Sequence, residues 1–422
     1  MADVRNYISV TAAYWAFTLT DGALRMLVLL HFHGLGYSPL DIAFLFLLYE
    51  AMGIVTNFFG GWIGSRFGLR ITLFAGLIVQ IVALVMLSQV DPAWALAFSV
   101  AYVMCAQALS GVAKDLTKMS SKSAVKLVVK GEGQGLLFKW VALLTGSKNA
   151  LKGLGFFMGG FLLQVLGFQW ALWSMAIMLA AVLVLTLLTL KADLGKAKQK
   201  IRGRELFSKT REINYLSAAR IFLFASRDVW FVVGVPVYLY SVFGWSFEGV
   251  GAFMAAWVIG YGMVQAGAPK FLRRTEDSGS GAQAAKLWGV ILAVLPALIA
   301  LGMAWTAGDA AAETAEAGDP SGPAPFVLVG GLLIFGVVFA MNSAVHSFLI
   351  VAYSDADKVA LNVGFYYMAN AVGRLGGTLL SGLVYQQAGL AACLWTSAAL
   401  VALAVAFTMP LGGRRAVGEA VE

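Results

Sequence analysis

Charge and cysteine are what this 422-residue chain has least of. Only 12% of its residues are charged, where a soluble domain carries about 25%. That shortage, with a 60% hydrophobic content and a mean hydropathy of +0.81, excludes an ordinary soluble fold. There are two cysteines and three histidines. Cys105 and Cys393 each fall inside an apolar run, so they form neither a disulfide framework nor a metal-ligand spacing and suit small core positions. His31 and His33, two apart on a helix, diverge by about 200° and bring no further ligand set, so no metal is expected there. The chain has no Walker-type phosphate loop, nucleophile elbow, His/Glu zinc motif or paired-carboxylate site. Their absence argues against nucleotide-driven pumping and against an integral-membrane enzyme, and no cofactor is expected. The first apolar segment follows Asp3 and Arg5 without a short hydrophobic core and small-residue cleavage site, so no removable signal peptide is expected.

What the chain has instead is a succession of apolar runs, each long enough to cross a bilayer. They predict an all-α membrane protein with twelve transmembrane helices, at 8–33, 40–62, 70–89, 93–113, 146–167, 170–190, 213–242, 247–268, 284–305, 326–351, 362–386 and 390–410. The net charge of +8 does not point to nucleic acid, because the basic residues sit in short loops. Loops after even-numbered helices hold Arg66 and Arg70, the lysines from Lys114 to Lys130, the Lys191–Arg211 run, and Lys270, Arg273 and Arg274. Loops after helices 1, 3, 7 and 9 hold Asp41, Asp91, Glu248, Asp309, Glu313, Glu316 and Asp319, with no Lys or Arg. The positive-inside rule then places both termini in the cytoplasm of a cell that carries the protein in its inner membrane. The basic region 114–150 suits an anionic lipid surface.

The halves resemble each other. A shift of 222 residues pairs Lys152 with Arg374, Gly155 with Gly377, Gly160 with Gly382, Gln164 with Gln386, and Gly167 with Gly389. Asn6-Tyr7 and Asn214-Tyr215 open helices 1 and 7, which carry Asp21 and Asp228 in mid-span. The expected organisation is a six-helix bundle over 1–190, a basic cytoplasmic linker over 191–212, and a second six-helix bundle with a short tail over 213–422. Parallel repeats of this kind are a transporter architecture, with the solute bound between the halves.

The loop after helix 2 reads Gly61-Trp-Ile-Gly64-Ser65-Arg66-Phe-Gly68-Leu-Arg70. Its glycines permit a tight turn and its arginines anchor at the interface. It resembles the Gly-x-x-x-Asp-Arg-x-Gly-x-Arg/Lys signature of the major facilitator superfamily. Ser65 stands where that family usually has Asp, so the charge of the latch attributed to that position is absent. Gly155-x-x-x-Gly159-Gly160 in helix 5 is similar to the antiporter motif of drug exporters without its proline, and close helix packing explains it. Within the superfamily, residues 14–50 resemble the organoarsenical efflux permeases, through Tyr14-Trp-Ala-Phe-Thr-Leu-Thr-Asp21-Gly-Ala-Leu-Arg25, His31-Phe-His33-Gly-Leu-Gly-Tyr-Ser-Pro39 and, further on, Tyr366-Tyr-Met-Ala-Asn370-Ala-Val-Gly-Arg374. That resemblance implies export of 1-arseno-3-phosphoglycerate, and a functional link to a glyceraldehyde-3-phosphate dehydrogenase that uses arsenate in place of phosphate. It also implies a cavity lined by helices 1, 4, 7 and 10, joined by 2, 5, 8 and 11.

Ionisable residues inside apolar helices mark function, since charge at that depth is costly. Asp21 and Arg25, four apart, share a face of helix 1 and are expected to pair. Glu50 in helix 2 has no local base, and Arg227 and Asp228, adjacent in helix 7, make a poor intrahelical pair. Arg25, Lys152, Arg227 and Arg374, with Asn370 and His346, are the expected substrate-binding residues, because guanidinium forks match phosphate, arsenate and carboxylate. Asp21, Glu50 and Asp228 are the candidates for proton coupling or ion pairing. Arg220, nearer a helix end, is expected to snorkel. The function expected is proton-coupled antiport of a small phosphorylated anion by a monomer, with import or exchange of organophosphates equally suited to the charge.

Overall fold

The computed structural model describes residues 2–128, 134–190, 210–271, 278–307, 322–354 and 359–412, and among the described residues there are helices joined by short turns, without a strand. They form α1 (Ala2–Gly34), α2 (Pro39–Leu87), α3 (Leu96–Val128), α4 (Gln134–Thr189), α5 (Arg211–Phe231), α6 (Gly234–Ser241), α7 (Phe247–Phe271), α8 (Ser278–Ala307), α9 (Ala324–Ala352) and α10 (Val359–Thr408). Helices α2, α4 and α10 are 49, 56 and 50 residues long, against the ~20 that cross a bilayer. Each accommodates two spans, and α5 with α6 makes one, so the ten helices accommodate twelve crossings.

The long helices turn where the sequence repeat falls. Gly167 breaks α4 at φ 74° and Gly389 breaks α10 at φ 70°, a left-handed conformation that only glycine adopts freely. These two glycines are a 222-residue pair. The break between α5 and α6 has another cause: Pro236 has no N–H and clashes with the carbonyl four residues back, at Val232. The backbone N–H groups of Val233 and Gly234 are satisfied by Ser381 Oγ of α10, at 3.1 and 3.2 Å.

The two halves grip each other by the same device twice. Gln164 Oε1 in α4 accepts the backbone N–H of Glu248 at the start of α7, at 3.3 Å. Its repeat partner Gln386 in α10 accepts the N–H of Leu40 at the start of α2, at 3.0 Å. Gly160 packs against the Phe247 carbonyl and Gly382 against that of Pro39, so closely that an added Cβ would collide with backbone. Large apolar side chains such as Ile177 and Leu188 of α4 and Leu298 and Trp305 of α8 point outward and are exposed, as lipid-facing residues are.

Three elements depart from the expectation: the turn expected between 62 and 70 lies within the continuous helix α2, the seventh span is split between α5 and α6, and α3 runs past its expected end. The helix predicted to stop near 113 continues as α3 to Val128; Lys114 and Lys118, expected in a loop, face the bundle interior, and Asp115 and Thr117 beside them are buried. The basic stretch 191–209, the acidic loop 308–321, and the side chains of Gly61, Ser65, Arg66 and Gly68 lie outside the described residues. Arg70 lies beside Phe74, 5.4 Å from the ring centroid.

Candidate functional site

The expected Asp21–Arg25 pair is replaced by bonds between helices. Arg25 of α1 pairs with Glu50 of α2 through Nη2 and Oε1. The same Glu50 oxygen is 2.5 Å from Nη2 of Arg374 of α10, so Glu50, which has no base near it in sequence, carries two in space. Arg374 Nε lies 3.5 Å from Asp228 Oδ2 of α5. Asp228 also accepts from its neighbour Arg227, whose Nε is 2.6 Å away. The long arginine side chain folds back to close a pair that helical geometry alone disfavours. A chain of alternating charges, Arg25–Glu50–Arg374–Asp228–Arg227, therefore crosses from the first half of the molecule to the second. Asp21, left out of it, accepts the Tyr49 hydroxyl at 2.7 Å.

Beside this chain is a cavity of about 160 Å³. Tyr14, Thr18 and Asp21 of α1 and Glu50 and Asn57 of α2 form one wall. Lys114, Asp115 and Lys118 of α3, Lys148 and Lys152 of α4, and Tyr367, Asn370 and Arg374 of α10 complete it. Five bases face three acids. Asp115 accepts the Thr56 hydroxyl and lies 3.5 Å from Lys118 Nζ, which also donates to Asn57 Oδ1 at 3.1 Å. The Lys114 ammonium sits 4.0 Å from the centroid of the Tyr49 ring, a desolvated cation held on a π face.

Of the residues expected at a site, Asp21, Glu50, Lys152, Asn370 and Arg374 line the cavity, and Arg25 reaches it through Glu50. Arg227 and Asp228 stand behind Arg374. His346 is fully buried in α9, away from the cavity lining. Arg220 does not snorkel; it is 4% exposed and donates to Ser343 Oγ at 3.0 Å. Lys114 and Lys118, expected in a loop, belong to the cavity, and so does Asp115 between them. Their spacing, with Thr117 and Ser121 continuing the helical period, is the signal that would have extended the helix.

On the far side of the ionic chain the bundle is shut. The His31 ring stacks on Phe168, centroids 3.8 Å apart, and His33 Nε2 is 2.6 Å from Ser241 Oγ of α6. The candidate metal pair is thus two separate contacts, and no cluster of three or more His, Cys, Asp or Glu residues able to hold a metal occurs among the described residues.

Similarities to known proteins agree with this architecture. The sequence profile of the Major Facilitator Superfamily matches residues 7–317. The crystal structure of a mutant of the nucleoside transporter NupG superposes with a TM-score of 0.70 at 15% identity, over 97% of this chain and 98% of that one. That of a bacterial homologue of the iron transporter ferroportin, in an inward-facing state, superposes at 0.68 and 15% identity, over 96% and 98%. At such identity the likeness is one of fold. No curated protein matches the sequence significantly.

Proposed function

The chain belongs to the major facilitator superfamily, and from that premise we propose that it is a secondary transporter exporting a small phosphorylated organic anion by alternating access. The observation that carries the reading is the cavity's charge: Lys114, Lys118, Lys148, Lys152 and Arg374 against Asp21, Glu50 and Asp115. The acids are themselves engaged, Glu50 by two arginines and Asp115 by Lys118. An incoming oxyanion would meet a surplus of ammonium groups and one guanidinium fork, a combination suited to phosphoryl oxygens. The resemblance of residues 14–50 to organoarsenical permeases selects 1-arseno-3-phosphoglycerate within that class, supplied by a cytosolic glyceraldehyde-3-phosphate dehydrogenase acting on arsenate. Without a nucleotide-binding loop the energy comes from an ion gradient, and a proton is the ion we assign.

The loop charges put the termini and the cavity side in the cytoplasm. The shut end, with His33 and Ser241, then faces outward, and the conformation is inward-facing. Everted membrane vesicles supplied with the dehydrogenase, its substrates and arsenate should accumulate arsenic only when they contain the transporter, and a protonophore should abolish the gradient. Equal accumulation in vesicles without the transporter would sink the proposal.

A further inference from the structure

Apart from the cavity, one buried cation in the second half has no acid to answer it. Arg220 of α5 is 4% exposed, and no carboxylate lies within ion-pair distance of it among the described residues. Its guanidinium is covered by the rings of Phe224 and Tyr366, 4.0 and 4.8 Å from its central carbon to their centroids. Stacking leaves the edge of the fork available, and Nε has no partner. Its Nη1 donates to Ser343 of α9, at 3.0 Å to Oγ and 3.4 Å to the backbone oxygen.

The surroundings are rich in donors. Tyr261 Oη and Gln265 Nε2, both from α7, also converge on Ser343 Oγ at 3.4 Å each. One hydroxyl oxygen thus accepts from Arg220 and Gln265 and also shares a hydrogen bond with the Tyr261 hydroxyl, in which either oxygen can donate. Three residues along α9, on the same face, His346 is fully buried with neither ring nitrogen partnered. Leaving a buried cation and buried polar groups so poorly answered is costly. An acceptor with several oxygens would satisfy them together, and Tyr261 and Gln265 are only half-buried.

We propose that Arg220, Ser343, Tyr261 and Gln265 form a second oxyanion-binding site, distinct from the cavity at Arg374, that takes a phosphate-like group. The group can be the phosphoryl end of the transported solute or free inorganic phosphate; the site chemistry is shared. This goes beyond the export reading and does not depend on which anion is moved.

The test uses radiolabelled inorganic phosphate bound to the purified full-length protein at fixed ionic strength. Wild type should bind two equivalents per chain, and Arg220→Gln and Arg374→Gln one each. Should Arg220→Gln fold poorly, Ser343→Ala with Gln265→Leu keeps the cation in place and should weaken one of the two affinities about tenfold, the cost of a lost hydrogen bond to a charged group. Binding that Arg220→Gln leaves undiminished, whether of one equivalent or two, would overturn the proposal, as would unchanged affinities in the Ser343/Gln265 variant. Everted vesicles given phosphate in the medium, which bathes the cytoplasmic face, separate the sources. If phosphate slows solute uptake in wild type and not in Arg220→Lys, the site belongs to the solute path; if it speeds uptake, the site serves phosphate itself. Failure of arsenical transport leaves the phosphate count untouched, so the two readings fail separately.

Discussion

Glu50 is 1% exposed and shares one oxygen between two guanidinium groups from different helices. Such a carboxylate does more to neutralise its neighbours than to stabilise the fold by itself: removing one member of a buried ionic group costs about 3–5 kcal/mol, because the rest is left uncompensated. Glu50→Ala should therefore lower the thermal midpoint in detergent well beyond an ordinary surface change, and Glu50→Gln by less; equal midpoints for wild type and Glu50→Ala would contradict the network. For Arg374, the fork matters as well as the charge. Arg374→Lys should leave the protein folded and reduce arsenical uptake by about tenfold or more, since a lysine cannot hold a tetrahedral oxyanion bidentately. Uptake by Arg374→Lys equal to wild type would remove Arg374 from the binding reading. None of these partners could be read along the chain. Sequence spacing offers Asp21 to Arg25 as a same-face neighbour, yet the structure gives Arg25 to Glu50 and Asp21 to Tyr49, because helix-to-helix contact supplies better-placed partners than the i,i+4 row does.

At the scale of the helix, α1 and α4 touch through residues with no side chain to separate them. Gly22 meets the Lys152 carbonyl, with a built Cβ only 2.6 Å away, and Gly155 and Gly159 press on the backbone of α1 around Leu19 and Ala23. Close approach of this kind brings Lys152 and Asp21 to the lining of one cavity. Gly159→Val should destabilise the bundle by about 1–3 kcal/mol, the usual cost of overpacking, whereas Gly330→Ala, which meets open space in α9, should be nearly silent; a thermal-shift comparison of the two variants checks it. Helix existence and the repeat were legible in the sequence, through apolar run length and the Gly167/Gly389 correspondence. The end of α3 was not, because a lysine about every fourth residue gives the same composition as a basic loop, and only burial of Asp115 and Thr117 separates the two. Likewise, the split of the seventh span at Val232–Val233 follows from Pro236, a signal present in the sequence but masked by the uninterrupted apolar run around it.

At the scale of the whole molecule, the shut end must part if the cavity is to empty there. With Cys105 and Cys393 replaced, His33→Cys with Ser241→Cys should be bridged by a short bifunctional thiol reagent, and bridging should stop transport while a cleavable reagent followed by reductant restores it. Undiminished transport in the bridged protein would show that α1 and α6 do not separate during the cycle. The crosswise grip of Gln386 on Leu40 and Gln164 on Glu248 has a consequence of its own. Each contact is a single neutral hydrogen bond, worth about 0.5–1.5 kcal/mol, and either alone would open readily. While one holds, however, the other's partners stay tethered at high effective concentration, so a broken bond re-forms before the halves diverge. With the His33–Ser241 contact beside them, the shut end is therefore a multivalent clasp. Weakening either side singly should change the opening rate modestly and weakening both should change it by about the product of the two effects, so that the barrier to opening is set by the sum of several weak bonds rather than by any one of them.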